Sequence, residues 1–187
     1  MSTMEEYKEY FDVLNENGEK IGEPQPHQYV HQHGLFHRTV HVWFLNSQGE
    51  ILLQRRSKNK WVYPNYWDIS VGGHVSAGQT NLEAAKKETQ EELGLILPDL
   101  IFKHLFTIKE HVVINNGVYI NNEFQDVYLV RSDISISDLK LSSEEVEEVR
   151  WISIKDFELW AKGQGERLVP HPEEYSRLLK HLRGSIA

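Results

Sequence analysis

Cysteine is missing from all 187 residues. That absence excludes disulfides, thiolate catalysis and cysteine-ligated zinc, and it suits a reducing compartment. Long apolar stretches are missing as well, since no run approaches the roughly 20 residues that span a bilayer. Met1 to Lys8 carry neither the basic nor the apolar stretch of a secretory leader. The expectation is a cytoplasmic protein with no membrane partner. Positive charge is in deficit, with 20 basic against 28 acidic side chains and a formal net charge of −8. Phosphate backbones are gripped chiefly by concentrated Lys and Arg, so a nucleic-acid polymer is an unsuitable main partner. A small phosphorylated ligand stays compatible, because a cation can bridge acid to acid. Repeats and low-complexity segments are absent too.

What remains is an ordinary globular composition, 40% hydrophobic and 26% charged. The length suits a single domain over residues 1–187 with a substantial core. Tyr10 to Leu14 and Glu19 to Gly22 flank Asn17-Gly18 and read as an opening hairpin, with a loop introduced by Pro24 and Pro26. Phe36 to Leu45, Glu50 to Arg56 and Asp68 to Val71 read as strands. Ile101 to Ile114 and Val118 to Val130, rich in β-branched and aromatic residues, flank Asn115-Asn116-Gly117 as a long hairpin. Glu148 to Ile152 reads as a strand, and Ser153 to Ala161 and Pro172 to Arg183 have helical spacing. Strands interrupted by one helix and closed by two more predict a mixed α/β sandwich.

The chemistry concentrates between residues 72 and 95. Gly73-His74-Val75-Ser76-Ala77-Gly78-Gln79 is a glycine-bearing loop, and Thr80-Asn81-Leu82-Glu83 is a capping box that starts a helix stopped by Gly94. Glu88, Glu91 and Glu92 stand at i, i+3 and i+4 and share a face, while Leu82, Ala85, Thr89 and Leu93 form another that packs on a sheet. The expectation is that the carboxylates look outward. Carboxylates this close repel unless something neutralises them, and a hard cation with oxygen ligands does so. The plainer reading of clustered Glu is a solvated helix face; the glycine loop and the cap favour a metal site for phosphate chemistry.

These residues resemble the Nudix box, G-x5-E-x7-R-E-U-x-E-E-x-G-U with U aliphatic, from Gly73 to Leu95. Gly73, Glu88, Glu91, Glu92, Gly94 and Leu95 match; Gln79 stands for Glu, Lys87 for Arg and Thr89 for an aliphatic residue. The resemblance implies a Nudix-type α/β/α sandwich with a mixed β-sheet, residues 1–30 forming an accessory hairpin. It implies hydrolysis of a diphosphate linkage in a small nucleoside-diphosphate-type compound, with Mg²⁺, or Mn²⁺ in its place. Glu88, Glu91, Glu92 and the Gly72 carbonyl are the expected metal ligands. Glu88, Glu92 and Glu123 are the expected catalytic residues, with Glu88 and Glu123 the alternatives for the base that deprotonates water. Assembly as a homodimer is left open.

A second resemblance narrows the branch. The segment from Val30 to Trp43, Leu52-Leu53-Gln54-Arg55-Arg56 and Trp67-Asp68-Ile69-Ser70 look like the Nudix proteins related to isopentenyl-diphosphate isomerase. That isomerase moves a proton with a cysteine just before the Gly-His of the loop, where this chain has Gly72, so hydrolysis is the simpler assignment. Isomerisation and a catalytically weak diphosphate-binding sensor are the alternatives. The isomerase-like family also binds a metal through residues matched by His37, His74 and Glu123, and less securely by His31, with Asn121 where a further glutamate falls. Hydrogen-bonded structural histidines are the plainer reading. Arg55, Arg56, Trp67 and Gly73 are the expected substrate contacts. Neighbouring residues of one strand point to opposite faces, so at most one of Arg55 and Arg56 is well placed to clamp a diphosphate, against the equal alternative of a solvated strand end. Trp61, Tyr63, Tyr66 and Trp67 around Pro64 offer a wall for a base or a prenyl chain, against the plainer reading of core aromatics. Glu144, Glu145, Glu147 and Glu148 read as a solvated charge run.

Overall fold

The structure, a computed structural model, describes residues 9–114 and 117–184. Two short strands, β1 (Tyr10–Phe11) and β2 (Gln25–Pro26), pair antiparallel, and α1 (His27–His33) follows. The main sheet contains β3 (Phe36–Leu45), β4 (Glu50–Arg56), β5 (Trp67–Asp68), β6 (Val71–His74), β7 (Lys103–Ile114), β8 (Tyr119–Arg131) and β9 (Val146–Ser153). Its path runs β5-β4-β3-β8-β7, with β6 on β3 and β9 on β4. The β3–β8 pairing is parallel and every other pairing is antiparallel, so the sheet is mixed.

Helices cover both faces, and strand alternation decides which residue meets which helix. Val40, Val42 and Phe44 of β3 pack with Ala84, Ala85 and Leu93 of α2 (Asn81–Leu93). Trp43 and Leu45 point the other way, to Phe157 of α3 (Ile154–Ala161) and Tyr175, Leu178 and Leu182 of α4 (Pro172–Gly184). Both faces of β3 being buried explains its nearly unbroken apolar run.

Helix α2 begins as its sequence dictates. Thr80 Oγ1 accepts from the Glu83 N–H at 3.3 Å, and the Glu83 carboxylate accepts from the Thr80 N–H at 2.8 Å. Gly94 ends it in a left-handed conformation at φ 73°, its N–H turned back to Gln90 and Thr89.

Four details depart from the sequence reading. Helix α1 lies where a loop is expected; its seven residues have no side-chain cap, and Val30 is its only buried apolar residue. The opening hairpin turns at Asn15–Glu19 and makes a Leu14–Lys20 bridge, yet β1 pairs with β2. The expected strand Asp68 to Val71 is split into β5 and β6, because Ser70 turns its hydroxyl to the Leu52 carbonyl at 2.5 Å and the Phe44 N–H at 2.9 Å. The outward face expected for the carboxylates of α2 is corrected below. The turn residues Asn115 and Asn116 lie outside the described residues.

Candidate active site and histidine cluster

Strand β6 brings Gly72 and Gly73 against α2. A Cβ on Gly73 would fall 2.2 Å from Glu88 Cδ, so only glycine leaves the carboxyl its place. Glu92 is 4% exposed and accepts from the Gly72 N–H and from Gln54 Nε2 at 3.0 Å. Glu88 and Glu92 therefore face the sheet; of the three, Glu91 alone looks outward, its side chain 56% exposed. The glycine at 73 leaves room for the Glu88 carboxyl, and Gln54 holds that of Glu92. Lys87 Nζ spans Glu88 at 3.2 Å and Glu91 at 3.1 Å, so lysine does here what a charged fork would do. Burial pushes Glu88 up to about 7 against the pull of Lys87. Burial, with the charge of Glu88 beside it, also raises Glu92 well above the carboxylate range. Two inward carboxyls that resist ionisation beside a glycine edge form a cradle suited to a divalent cation.

The loop is fastened from the N-terminal segment. Tyr10 O accepts from the Ala77 N–H at 2.7 Å, Asp12 Oδ2 from the Gly78 N–H at 3.0 Å, and Glu9 from Ser76 Oγ at 2.7 Å. Gln79 holds it from within, its Oε1 accepting from the Ser76 N–H at 3.1 Å.

Arginines and aromatics sort differently from expectation. Arg56 Nη1 donates to Asp68 Oδ2 at 3.0 Å and Nε to Val62 O at 3.1 Å, and its charge acts on Lys60 and Tyr119 near the carboxylates. Arg55 is committed to Glu148 at 2.9 Å at the rim. Trp67 is not a substrate wall: it is 2% exposed and packs with Trp160 in the core that α3 and α4 cover. Trp61 is 59% exposed and edge-on to Tyr119 at 5.3 Å. Glu145 pairs with Lys60, so the acidic run is not wholly solvated. Lys60 was not singled out from the sequence; its place between Arg56 and Trp61 was the available signal.

Glu123 is 5% exposed, accepts from Thr39 Oγ1 at 3.4 Å and Gln125 Nε2 at 3.1 Å, and stands 3.7 Å from His37 Nε2. It adjoins an imidazole cluster of His27, His31, His37 and His74. Phe11, fully buried, stacks on His37 at 5.3 Å and on His74 at 4.7 Å. His31 and His37 turn Nδ1 to the carbonyls of Ile120 and Leu35 at 3.3 and 3.0 Å. The Nε2 atoms of His31, His37 and His74 are buried without a hydrogen bond among the described residues. Burial and the neighbouring rings hold His31 down to about 3 and His74 well below its ordinary value. The sequence gives no sign of His27, because the helix that carries it has no capping side chain.

A second buried network, unread in the sequence, anchors α4. Glu174 accepts from His41 Nδ1 and from Trp43 Nε1, each at 2.7 Å. His171 Nε2 lies 3.4 Å from Asp68. Burial opposes the charge on His41, but Glu174 overrides it and raises the imidazole; Glu174 is lowered, with His41 offsetting its burial.

Sheet, covering helices and carboxylate cradle together define a three-layer α/β protein with a buried acidic site against a glycine-bearing strand. A family model described as the NUDIX domain matches residues 35–171. Nudix hydrolase 3 of Arabidopsis thaliana is 40% identical over 181 residues, 94% of this chain, and the chain spans 23% of that protein's length. An isopentenyl-diphosphate Delta-isomerase of Cutibacterium acnes is 28% identical over 167 residues, 88% of this chain and 83% of the relative. A crystal structure of a Deinococcus radiodurans protein superposes with a TM-score of 0.70 at 25% identity, covering 94% of this chain and 98% of that one. The chain belongs to the Nudix hydrolase family, with isomerase-named proteins among its more distant relatives. The mixed sheet between helical layers is the expected Nudix-type sandwich. No helix among the described residues is long and apolar enough to cross a membrane.

Proposed function

We propose that the chain hydrolyses a diphosphate linkage in a small nucleoside-diphosphate-type compound, using Mg²⁺ or Mn²⁺ held by Glu88, Glu91, Glu92 and the Gly72 carbonyl. The carrying observation is the inward pair Glu88 and Glu92, both raised by burial beside a glycine edge that admits no side chain. A divalent cation held there would supply neutralisation of phosphate oxygens and a more acidic attacking water. Glu88, buried beside the glycine edge, would be the carboxylate that accepts the proton of the attacking water. Glu92, fixed by Gln54 and Gly72, keeps its carboxylate aimed at the cradle. Arg56, braced by Asp68 and the Val62 carbonyl, presents its guanidinium to a phosphate at low orientational cost. Gly73 keeps the approach to the phosphate open. Glu123, buried beside His37 and bonded to Thr39 and Gln125, is the alternative candidate for the base. Residues 1–187 are taken as one Nudix domain, with 1–30 as an accessory segment that supports the loop, in a cytoplasmic protein.

The test is a substrate panel of nucleoside diphosphates, nucleotide sugars, dinucleoside polyphosphates and prenyl diphosphates with Mg²⁺ or Mn²⁺. Turnover of at least one nucleoside-diphosphate-linked compound is expected, lost in Glu92→Gln. Tight binding across the panel with no product would make the chain a sensor. Isopentenyl diphosphate should yield no dimethylallyl isomer, and sustained isomer formation would overturn the assignment.

A further inference from the structure

Arg56 is braced by Asp68, and Asp68 is itself held from its other side. The chain before α4 is laid along β5: the Trp67 N–H donates to Arg167 O and the Val169 N–H to Trp67 O, each at 2.8 Å, and Tyr175 Oη donates to Val169 O at 2.5 Å. His171, the residue before α4, is thereby brought to Asp68. Its Nε2 lies 3.4 Å from Asp68 Oδ1, while Arg56 Nη1 donates to Asp68 Oδ2 at 3.0 Å. One carboxylate, 5% exposed, thus stands between a guanidinium from β4 and an imidazole from the approach to α4.

The surrounding groups leave this task to His171. On β3, the ring of His41 is 5.1 Å away, but its Nδ1 is given to Glu174 at 2.7 Å. On β7, Glu110 Oε1 approaches His171 Nδ1 at 3.8 Å, and on α4 Tyr175 packs edge-on to the ring at 5.8 Å. Burial opposes charge on His171, but Asp68 and Glu110, with Glu174 behind them, raise the imidazole well above its ordinary value. Burial likewise opposes charge on Asp68, and His171, followed by Arg56, holds it below the carboxylate range. A buried carboxylate left with one guanidinium would cancel that charge, and a neutral pair attracts phosphate poorly. A second cation at Oδ1 lets the carboxylate orient Arg56 while positive charge remains for a ligand. Arg56 Nε and Nη1 are taken by Val62 O and Asp68, and Nη2 makes no hydrogen bond among the described residues.

We propose that His171 is a positioning residue for phosphate binding: its imidazolium answers Asp68 Oδ1, so that Asp68 aims the Arg56 guanidinium without cancelling its charge. This rests on the reading of the chain as a diphosphate hydrolase with Arg56 at the phosphate. The carboxylates that act on the bond lie elsewhere, on α2, so the effect of His171 falls on affinity and not on the chemical step. A histidine that only fastened α4 would change stability, and its loss would not depend on Arg56.

The experiment titrates the full chain with inorganic pyrophosphate and Mg²⁺ by calorimetry, and measures KM and kcat on the best compound of the substrate panel. His171→Gln, checked for folding by circular dichroism, keeps a donor without the charge. It should bind pyrophosphate about tenfold more weakly, the scale of one charged partner lost. KM should rise by a like factor with kcat within about threefold of wild type. His171→Lys, which keeps a cation, should recover most of the affinity. Glu173→Gln, an exposed charge change two residues away, should match wild type within about twofold. In an Arg56→Gln background, His171→Gln should bring no further loss, because its effect passes through the guanidinium. Unchanged affinity in His171→Gln overturns the proposal. So does a His171→Lys protein no tighter than His171→Gln, or an equal loss with and without Arg56, which would leave His171 an anchor of α4. Each of these needs a wild type that binds pyrophosphate; one that neither binds it nor turns over any member of the panel removes the hydrolytic reading, and this inference with it.

Discussion

Gly73 and Glu88 occupy one another's space: a methyl group on the glycine would lie 2.2 Å from the carboxyl carbon and 2.5 Å from an oxygen. Strand β6 cannot retreat, since Gly73 is paired with Val40 inside the sheet. Gly73→Ala is therefore expected to displace the carboxylate. Turnover should fall about a hundredfold, as for a reacting group moved by an ångström, with a stability loss of about 1–3 kcal/mol from overpacking. Kinetics and denaturant unfolding read both, and turnover within twofold of wild type would show that Glu88 is not needed where it stands.

Glu91→Gln and Glu92→Gln should each reduce turnover by at least about a hundredfold, the scale of losing one charge that stabilises the transition state. The two differ in setting, because Glu91 is solvated and Glu92 is enclosed. Glu91→Gln should thus leave the metal-free melting temperature nearly unchanged, whereas Glu92→Gln should raise it above pH 8. Normal turnover in both variants, with metal still required, would remove these residues from the metal site.

Metal-free stability should depend on pH through the same carboxyls. Glu88, held at about 7, and Glu92, also raised, keep protons in the folded state that the unfolded chain, with ordinary values near 4.5, has released. The stabilising contribution is complete below about pH 4.5 and is lost as pH rises through 7 and beyond. Melting temperature without metal should fall from pH 6 to pH 8.5, and the increment from added Mg²⁺ should grow over that range. A flat profile in chelator would contradict the buried settings of both residues.

Gln79→Ala should change turnover less than about tenfold, because the Gln79 amide oxygen holds the Ser76 N–H and does not point at the carboxylates. Glu88→Gln should be far more damaging. Should Gln79→Glu instead raise a barely measurable rate by orders of magnitude, the natural chain is a binding module.

The elements that carry the chemistry were legible because their signals are local. Thr80 with Glu83, and Gly94, set the limits of α2 through short-range hydrogen bonds, and the apolar runs of β3 and β4 mark strands buried on both sides. Misread elements had weak local signals. Helix α1 has no cap side chain, and Ser70 interrupts a strand through partners at Phe44 and Leu52, distant in sequence. Periodicity alone placed Glu88, Glu91 and Glu92 together on one face, but it could not say that this face meets Gln54. Trp67 was misjudged for a like reason, since its burial depends on Trp160, far along the chain. Glu174 was invisible because its partners His41 and Trp43 come from another element.

The family match begins at residue 35 and ends at residue 171, yet Phe11 roofs the imidazoles and Glu174 neutralises His41 from outside those limits. Homology and physical completeness therefore have different borders in this molecule. A fragment trimmed to the matched interval would keep every carboxylate of the cradle while releasing the hydrogen bonds from Glu9, Tyr10 and Asp12 that hold the loop. Its recognition loop would have to be ordered anew at each encounter with a ligand, so weak binding by such a fragment would report lost preorganisation rather than lost chemistry.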